Sequence, residues 1–183
     1  KLRDDEYLGA NVTIPYKEQV LGLLDGVDGL ASTVGAVNTI VKEGRDLIGY
    51  NTDVCGIVRS LREKAGFEPE GKSMLLLGAG GAARASAFGM ASEGIASLTI
   101  ANRTPRRASG LADEVRGSIG SVRAISIAEA TLAEASAKVD LIVNATSIGM
   151  DHGDARGRTP LYSDLIPPGV LVFDMVYTPS ETP

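Results

Sequence analysis

The feature that most constrains this chain is a short apolar run, Met74-Leu75-Leu76-Leu77, followed at once by Gly78-Ala79-Gly80-Gly81-Ala82-Ala83 and then by a helical stretch. This is a G-x-G-x-x-(G/A) pattern set between a buried strand and a helix, the context in which it has chemical meaning. Gly78 allows a tight turn, Gly80 lets backbone approach a pyrophosphate, and Ala83 is small enough for close helix packing. The helix start offers unpaired N–H groups to an anion. Downstream, strands are expected at 97–101, 122–125, 141–144 and 170–174, with helices at 82–92, 106–115 and near 127–137. Such alternation implies a parallel sheet with helices on both faces, because parallel strands need crossover connections. The expected fold is therefore α/β, with a Rossmann-like, doubly wound dinucleotide-binding sheet.

Upstream the pattern differs. Residues 7–14 read as a strand and Pro15 opens a helical stretch to about residue 24, since proline is tolerated at a first helical position. Strands at 36–41 and 47–50 flank Lys42-Glu43-Gly44-Arg45-Asp46, which suits a hairpin turn. Thr52 is placed to cap a helix in which Val54, Ile57, Val58, Leu61 and Ala65 form one apolar face. Asp53 then lies where the helix dipole favours negative charge. The change of pattern follows a linker or loop at 66–71. Residues 1–52 are assigned to part of an α/β substrate-binding unit and 53–183 to the cofactor unit, with 53–65 as a connecting helix.

Composition narrows the function. With 183 residues, 44% of them hydrophobic and 22% charged, the chain can bury a real core. A formal net charge of −5 argues against a general nucleic-acid binder. The apolar runs fall far short of the roughly 18 residues a membrane span needs. The single cysteine, Cys55, cannot form an internal disulfide, which fits a reducing compartment; it is expected to be a small buried residue on a helix. The charged stretch at residues 1–7 is unlike a signal peptide, so a cytoplasmic location is expected. The chain starts without methionine and stops in turn residues, so truncation at both ends is expected. His152 lies in a polar loop and is read as a solvated residue rather than a catalytic acid. No metal is expected.

After the second strand of the cofactor unit stands Asn102-Arg103-Thr104. An NAD site usually places an acid there to receive the ribose hydroxyls; here a guanidinium is offered instead. Arginine can grip phosphate through a fork of N–H donors, which suits the 2′-phosphate of NADP. Arg106 and Arg107 follow and can add charge or simply start a solvated helix.

Three polar clusters end apolar strands: Asn11-Val12-Thr13-Ile14-Pro15-Tyr16-Lys17, Gly35-Ala36-Val37-Asn38-Thr39, and Asn51-Thr52-Asp53. Amides, hydroxyls and charges so placed suit a pocket for a small polyhydroxylated molecule. Together with the glycine loop, Asn102-Arg103-Thr104, Asn144-Ala-Thr-Ser-Ile-Gly-Met150 and Asp174-Met-Val-Tyr-Thr-Pro179, they resemble the shikimate dehydrogenase family across nearly the whole chain. The resemblance implies a two-domain, NADP-dependent enzyme of aromatic amino-acid (chorismate) biosynthesis that reduces 3-dehydroshikimate to shikimate. It implies Lys17 and Asp53 as the catalytic pair, and Thr13, Asn38 and Tyr177 at substrate-binding positions. Cofactor contacts are implied for Gly78, Ala79, Gly80, Gly81, Ala82, Asn102, Arg103, Thr104, Arg107, Thr146 and Met150, with core packing an open alternative for Met150. A monomer or homodimer is expected. The family's serine-bearing N-terminal element and its C-terminal helical segment with a substrate-binding glutamine have no counterpart here.

Two other readings are separable. A quinate/shikimate dehydrogenase using NAD would usually carry an acid where this chain has Arg103. A dehydrogenase-like regulatory domain would keep the glycine loop and lose the catalytic pair, yet both Lys17 and Asp53 are present.

Overall fold

The computed structural model describes residues 2–4, 6–151 and 156–182, so His152 lies outside the described residues. Two sheets organise the chain. The first has strand order β1-β3-β4-β2, built from β1 (Gly9–Asn11), β2 (Gly26–Val27), β3 (Thr39–Glu43) and β4 (Asp46–Tyr50). β3 is antiparallel to both β1 and β4, and β2 runs parallel to β4. The β3–β4 hairpin turns through Gly44 and Arg45, with Gly44 at φ 65°, a backbone conformation that costs glycine little. α1 (Gly29–Val34) packs between β4 and the larger body.

The second sheet is wholly parallel, in the order β7-β6-β5-β8-β9. Its strands are β5 (Ser73–Leu77), β6 (Ser97–Asn102), β7 (Ser121–Ser126), β8 (Leu141–Asn144) and β9 (Leu171–Asp174). Helices α2 (Asp53–Ala65), α3 (Gly81–Ser92), α4 (Pro105–Val115) and α5 (Glu129–Ser136) cover it. Side chains of β5 alternate between two cores: Met74 and Leu76 face α2, α3 and α4, while Leu75 and Leu77 face the α5 side. Burial on both faces is why this strand reads as an unbroken apolar run, and each fully buried leucine contributes about 1.5–3 kcal/mol. The chain winds from β5 outward through β6 and β7, then returns to the other side of β5 for β8 and β9. The crevice beyond the carboxyl ends of β5 and β8 is thus a topological switch point, where α/β sheets bind ligands.

Several local expectations fail for tertiary reasons. The strand expected at 7–14 is limited to β1, and the helix expected at 15–24 is a series of turns ending in a 3₁₀ segment, Gln19–Leu23. The Lys17 carbonyl accepts the Val37 N–H at 2.8 Å instead of propagating an α-helix. The strand expected at 36–41 is shifted to β3, because Val37 and Asn38 are used in loop contacts to Lys17 and Tyr50. β2 and α1 went unforeseen. Cys55 is exposed rather than buried, since Val54, Ile57 and Leu61 take the inward face of α2, and Ala65 is exposed at its end. Among the described residues, no helix is long and apolar enough to cross a membrane.

Arg84 of α3 ties the parts together. Its Nε donates to the Val34 carbonyl at the end of α1, and its guanidinium pairs with Glu114 of α4 through both carboxylate oxygens. Gly35, at φ 67°, lies against it: a Cβ there would fall 2.5 Å from Arg84 Nη2.

Candidate active site

The Lys17 backbone is held by Val37, and its aliphatic stem runs across Gly81. A Cβ on Gly81 would meet Lys17 Cβ at 2.8 Å and Cδ at 3.2 Å, so the cofactor-type loop and the lysine touch because residue 81 has no side chain. Lys17 Nζ donates to Asp53 Oδ2 at 2.7 Å. Both side chains are less than one-fifth exposed, at 17% and 19%, so the pair is shielded from most screening while remaining on the cleft wall.

Asp53 opens α2, where the helix dipole favours its charge. The capping is done by Asn51, not by Thr52 as the sequence suggested. Asn51 Oδ1 accepts the N–H groups of Asp53 (3.0 Å) and Val54 (3.3 Å), while its Nδ2 donates to the Ala36 carbonyl. The Thr52 hydroxyl is engaged by Asn38 Nδ2 at 2.8 Å. Asn38 Nδ2 also donates to Asp53 Oδ1 at 2.8 Å, and its Oδ1 accepts the Thr52 N–H. Asn38 therefore braces the carboxylate while remaining only partly buried. The loop at 35–38 thus positions both members of the pair, through Val37 for Lys17 and through Asn38 for Asp53.

The cleft has a volume of about 710 Å³ and joins the two sheets. Thr13, Lys17, Glu18 and Asp53 form one side; residues 78–82, Asn102, Arg103 and Arg107 form the other; Thr146, Met150, Arg158 and Tyr177 complete the rim. Of the sequence-derived positions, Asn38 and Thr104 stand outside this lining. The Thr104 carbonyl instead accepts Asn102 Nδ2 at 3.0 Å, shaping the turn that presents Arg103. Glu18, Arg158, Ile127, Ile148 and Met175 line the cleft without having been singled out. Glu18 follows Lys17 directly, and a charged residue beside the lysine was the signal available for it.

The residues fit a dinucleotide. Gly78 adopts φ 111° under Ala145, whose carbonyl oxygen would lie 2.9 Å from a Cβ there, so glycine is required by both conformation and space. At the start of α3, Gly80 supplies no side-chain cap, leaving first-turn N–H groups free to meet an anion. Thr146 is fixed by Asn144: its N–H and Oγ1 both donate to Asn144 Oδ1, at 3.1 and 2.7 Å. Asn144 Nδ2 in turn donates to Asp174 Oδ1 at 3.0 Å.

Two family models match the sequence: the shikimate dehydrogenase substrate binding domain over residues 1–40, and shikimate / quinate 5-dehydrogenase over residues 60–150. The chain belongs to the shikimate dehydrogenase family. A family relative from Moorella thermoacetica, a shikimate dehydrogenase (NADP(+)), is 48% identical over 177 residues, covering 96% of this chain and 59% of the relative. Among solved members, shikimate 5-dehydrogenase from Thermus thermophilus in complex with NADP(H) and shikimate aligns with a TM-score of 0.80 at 36% identity, covering 97% of this chain and 61% of that one. Quinate dehydrogenase from Corynebacterium glutamicum in complex with NAD aligns with a TM-score of 0.81 at 34% identity, covering 96% and 61%. This chain spans about 60% of the length of the shikimate dehydrogenases it matches.

Proposed function

We propose that this chain carries the catalytic pair and the cofactor crevice of an NADP-dependent shikimate dehydrogenase, which interconverts 3-dehydroshikimate and shikimate. The observation that carries this reading is the Lys17–Asp53 pair held against Gly81, so that a proton donor and a dinucleotide loop face one cleft. The turns that follow β1 supply Thr13 and Lys17, α2 supplies Asp53, and the parallel sheet supplies the crevice.

The pair answers a specific chemical need. When bound, the cofactor supplies or accepts the hydride at the substrate carbon. Negative charge then develops on the carbonyl oxygen and must be met by a proton or a cation. Lys17 Nζ supplies that proton in reduction and takes it back in oxidation. Asp53 Oδ2 keeps Nζ oriented, and Asn38 keeps Asp53 from turning away. Thr13 and Tyr177 contact substrate hydroxyls from the cleft wall. Residues 78–82 would hold the pyrophosphate, with Thr146 and Met150 on the rim of the same cleft. Arg103 would take the 2′-phosphate, with Arg107 lining the same side of the cleft; a guanidinium in that place favours NADP over NAD.

The test is the reduced-nicotinamide absorbance with shikimate or quinate and either cofactor, in the protein extended to the length of its relatives. Turnover with shikimate and NADP supports the proposal. Turnover with quinate and NAD alone would replace it by the quinate reading.

A further inference from the structure

Glu18 and Lys17 are neighbours in sequence, yet their charges serve different parts of the cleft. Glu18 Oε1 accepts from Arg107 Nη2 at 2.7 Å, bridging the segment before β2 to the first turn of α4. Among the described residues, the same oxygen is the one heavy atom outside Gly80's own neighbours within 4 Å of where a Gly80 Cβ would stand, at 4.0 Å. A single carboxylate oxygen thus sits between the open face of Gly80, in front of the α3 N-terminus, and the guanidinium of Arg107, which lines the cleft together with Arg103. Both are features that attract anions.

We propose that Glu18 is a specificity-determining residue of the cofactor crevice, an internal carboxylate that the 2′-phosphate of NADP must displace from Arg107. The inference rests on reading the Arg103–Arg107 side of the crevice as the 2′-phosphate site. A carboxylate and a phosphate cannot both take the same N–H donors without like-charge repulsion, so Glu18 opposes NADP in proportion to its hold on Arg107. NAD has no 2′-phosphate and makes no claim on Arg107. Glu18 acts on it only through the pyrophosphate, which both cofactors carry. The side chains of Arg107 and Glu18 are 52% and 38% exposed, so Glu18 can turn into solvent when displaced, and the opposition is modest.

Calorimetric titration of NADP⁺ and NAD⁺ into the protein and into Glu18→Gln, Arg107→Ala and the double variant tests this. Glu18→Gln is expected to tighten NADP⁺ binding about two- to fivefold, the scale an exposed ion pair carries, and to change NAD⁺ binding less. In the Arg107→Ala background the same substitution should give no selective gain for NADP⁺. Unchanged or weaker NADP⁺ binding by Glu18→Gln, or an equal gain for both cofactors, overturns the proposal. Arg107→Ala alone tests the reading beneath it. A selective loss of NADP⁺ binding there, with Glu18→Gln inert, rejects Glu18 alone; equal losses of both cofactors reject the phosphate role of Arg107 and the proposal with it.

Discussion

Gly80→Ala and Gly81→Ala add the same methyl to adjacent residues and should damage different steps. At Gly81 the new Cβ would stand 2.8 Å from Lys17 Cβ and 3.2 Å from its Cδ. The clash falls at the root of the lysine side chain, so rotating the tip cannot relieve it, and the Lys17 segment must shift by several tenths of an ångström. Overpacking of this kind costs about 1–3 kcal/mol, while alanine for glycine in a helix returns up to about 1 kcal/mol. The net loss of stability should be about 0–3 kcal/mol, leaving the protein folded. A displaced Nζ–Asp53 pair is another matter, since misplacing a reacting group by an ångström can cost about 100-fold in rate; for a smaller shift, kcat should fall about 10- to 100-fold with cofactor affinity nearly intact. At Gly80 the methyl meets nothing closer than Glu18 Oε1 at 4.0 Å, so stability should hold, while the methyl stands where a pyrophosphate would approach. There Kd for NADP should rise and kcat at saturation should change little. Thermal melts, cofactor titration and steady-state kinetics separate the two outcomes. A Gly81→Ala protein with normal kcat and a raised cofactor Kd would show that Gly81 serves the phosphate and that its contact with Lys17 is incidental.

Arg103→Ala should weaken NADP binding by about 1.5–3 kcal/mol, roughly 10- to 150-fold, and leave NAD nearly unchanged; titration of both cofactors reads this, and equal losses would give Arg103 another job. Asp140 accepts the Ser73 N–H at 2.9 Å and pairs with Lys72 at 3.3 Å, and the backbone bond first, then Lys72, holds its carboxyl below the ordinary carboxylate range. A carboxyl lowered on folding stabilises the native state above its unfolded pKa and loses that contribution as pH falls through its folded value. Urea midpoints should therefore show Asp140→Asn destabilising at pH 7, with the difference from the parent shrinking at pH values below the carboxylate range; a constant difference would contradict the assignment.

The cofactor half was legible because its strands are buried on both faces and bounded by glycines or polar turns. Met74 to Leu77 and Leu141 to Asn144 need no tertiary information to be read as strands. The first half depends on contacts distant in sequence. The stretch after Pro15 has helical spacing, but the Lys17 carbonyl is claimed by Val37, twenty residues on, and no local pattern reveals that. β2 is two residues long and exists by pairing with β4. α1 does carry a local signal: Asp28 caps the Leu30 N–H, and Gly35 closes the helix in a left-handed conformation, the acidic start and glycine stop that mark a helix. In the site, the glycine loop is legible from its own pattern between a strand and a helix, whereas Lys17 and Asp53 are implied only by the family resemblance of their blocks, since a lone lysine after a proline or an aspartate at a helix start carries no such signal. The bracing of Asp53 by Asn38 was beyond the sequence, because an asparagine at a strand end shows no sign of which neighbour its amide meets. Arg84 was hidden for the same reason, being an arginine on a helix whose partners, Val34 and Glu114, come from other elements.

Lys17 is proposed to deliver the proton to the developing oxygen charge. That role is tested most directly by Lys17→Ala in the protein extended to the length of its relatives, with kcat and KM for shikimate measured separately at saturating NADP. Charge that exists only during hydride transfer calls for Lys17 in the transition state more than in the ground state, so kcat should fall by about 10² to 10⁴, the range for losing a positioned acid, while KM changes little. Near-normal kcat with a sharply raised KM would make Lys17 a binding residue and contradict the account.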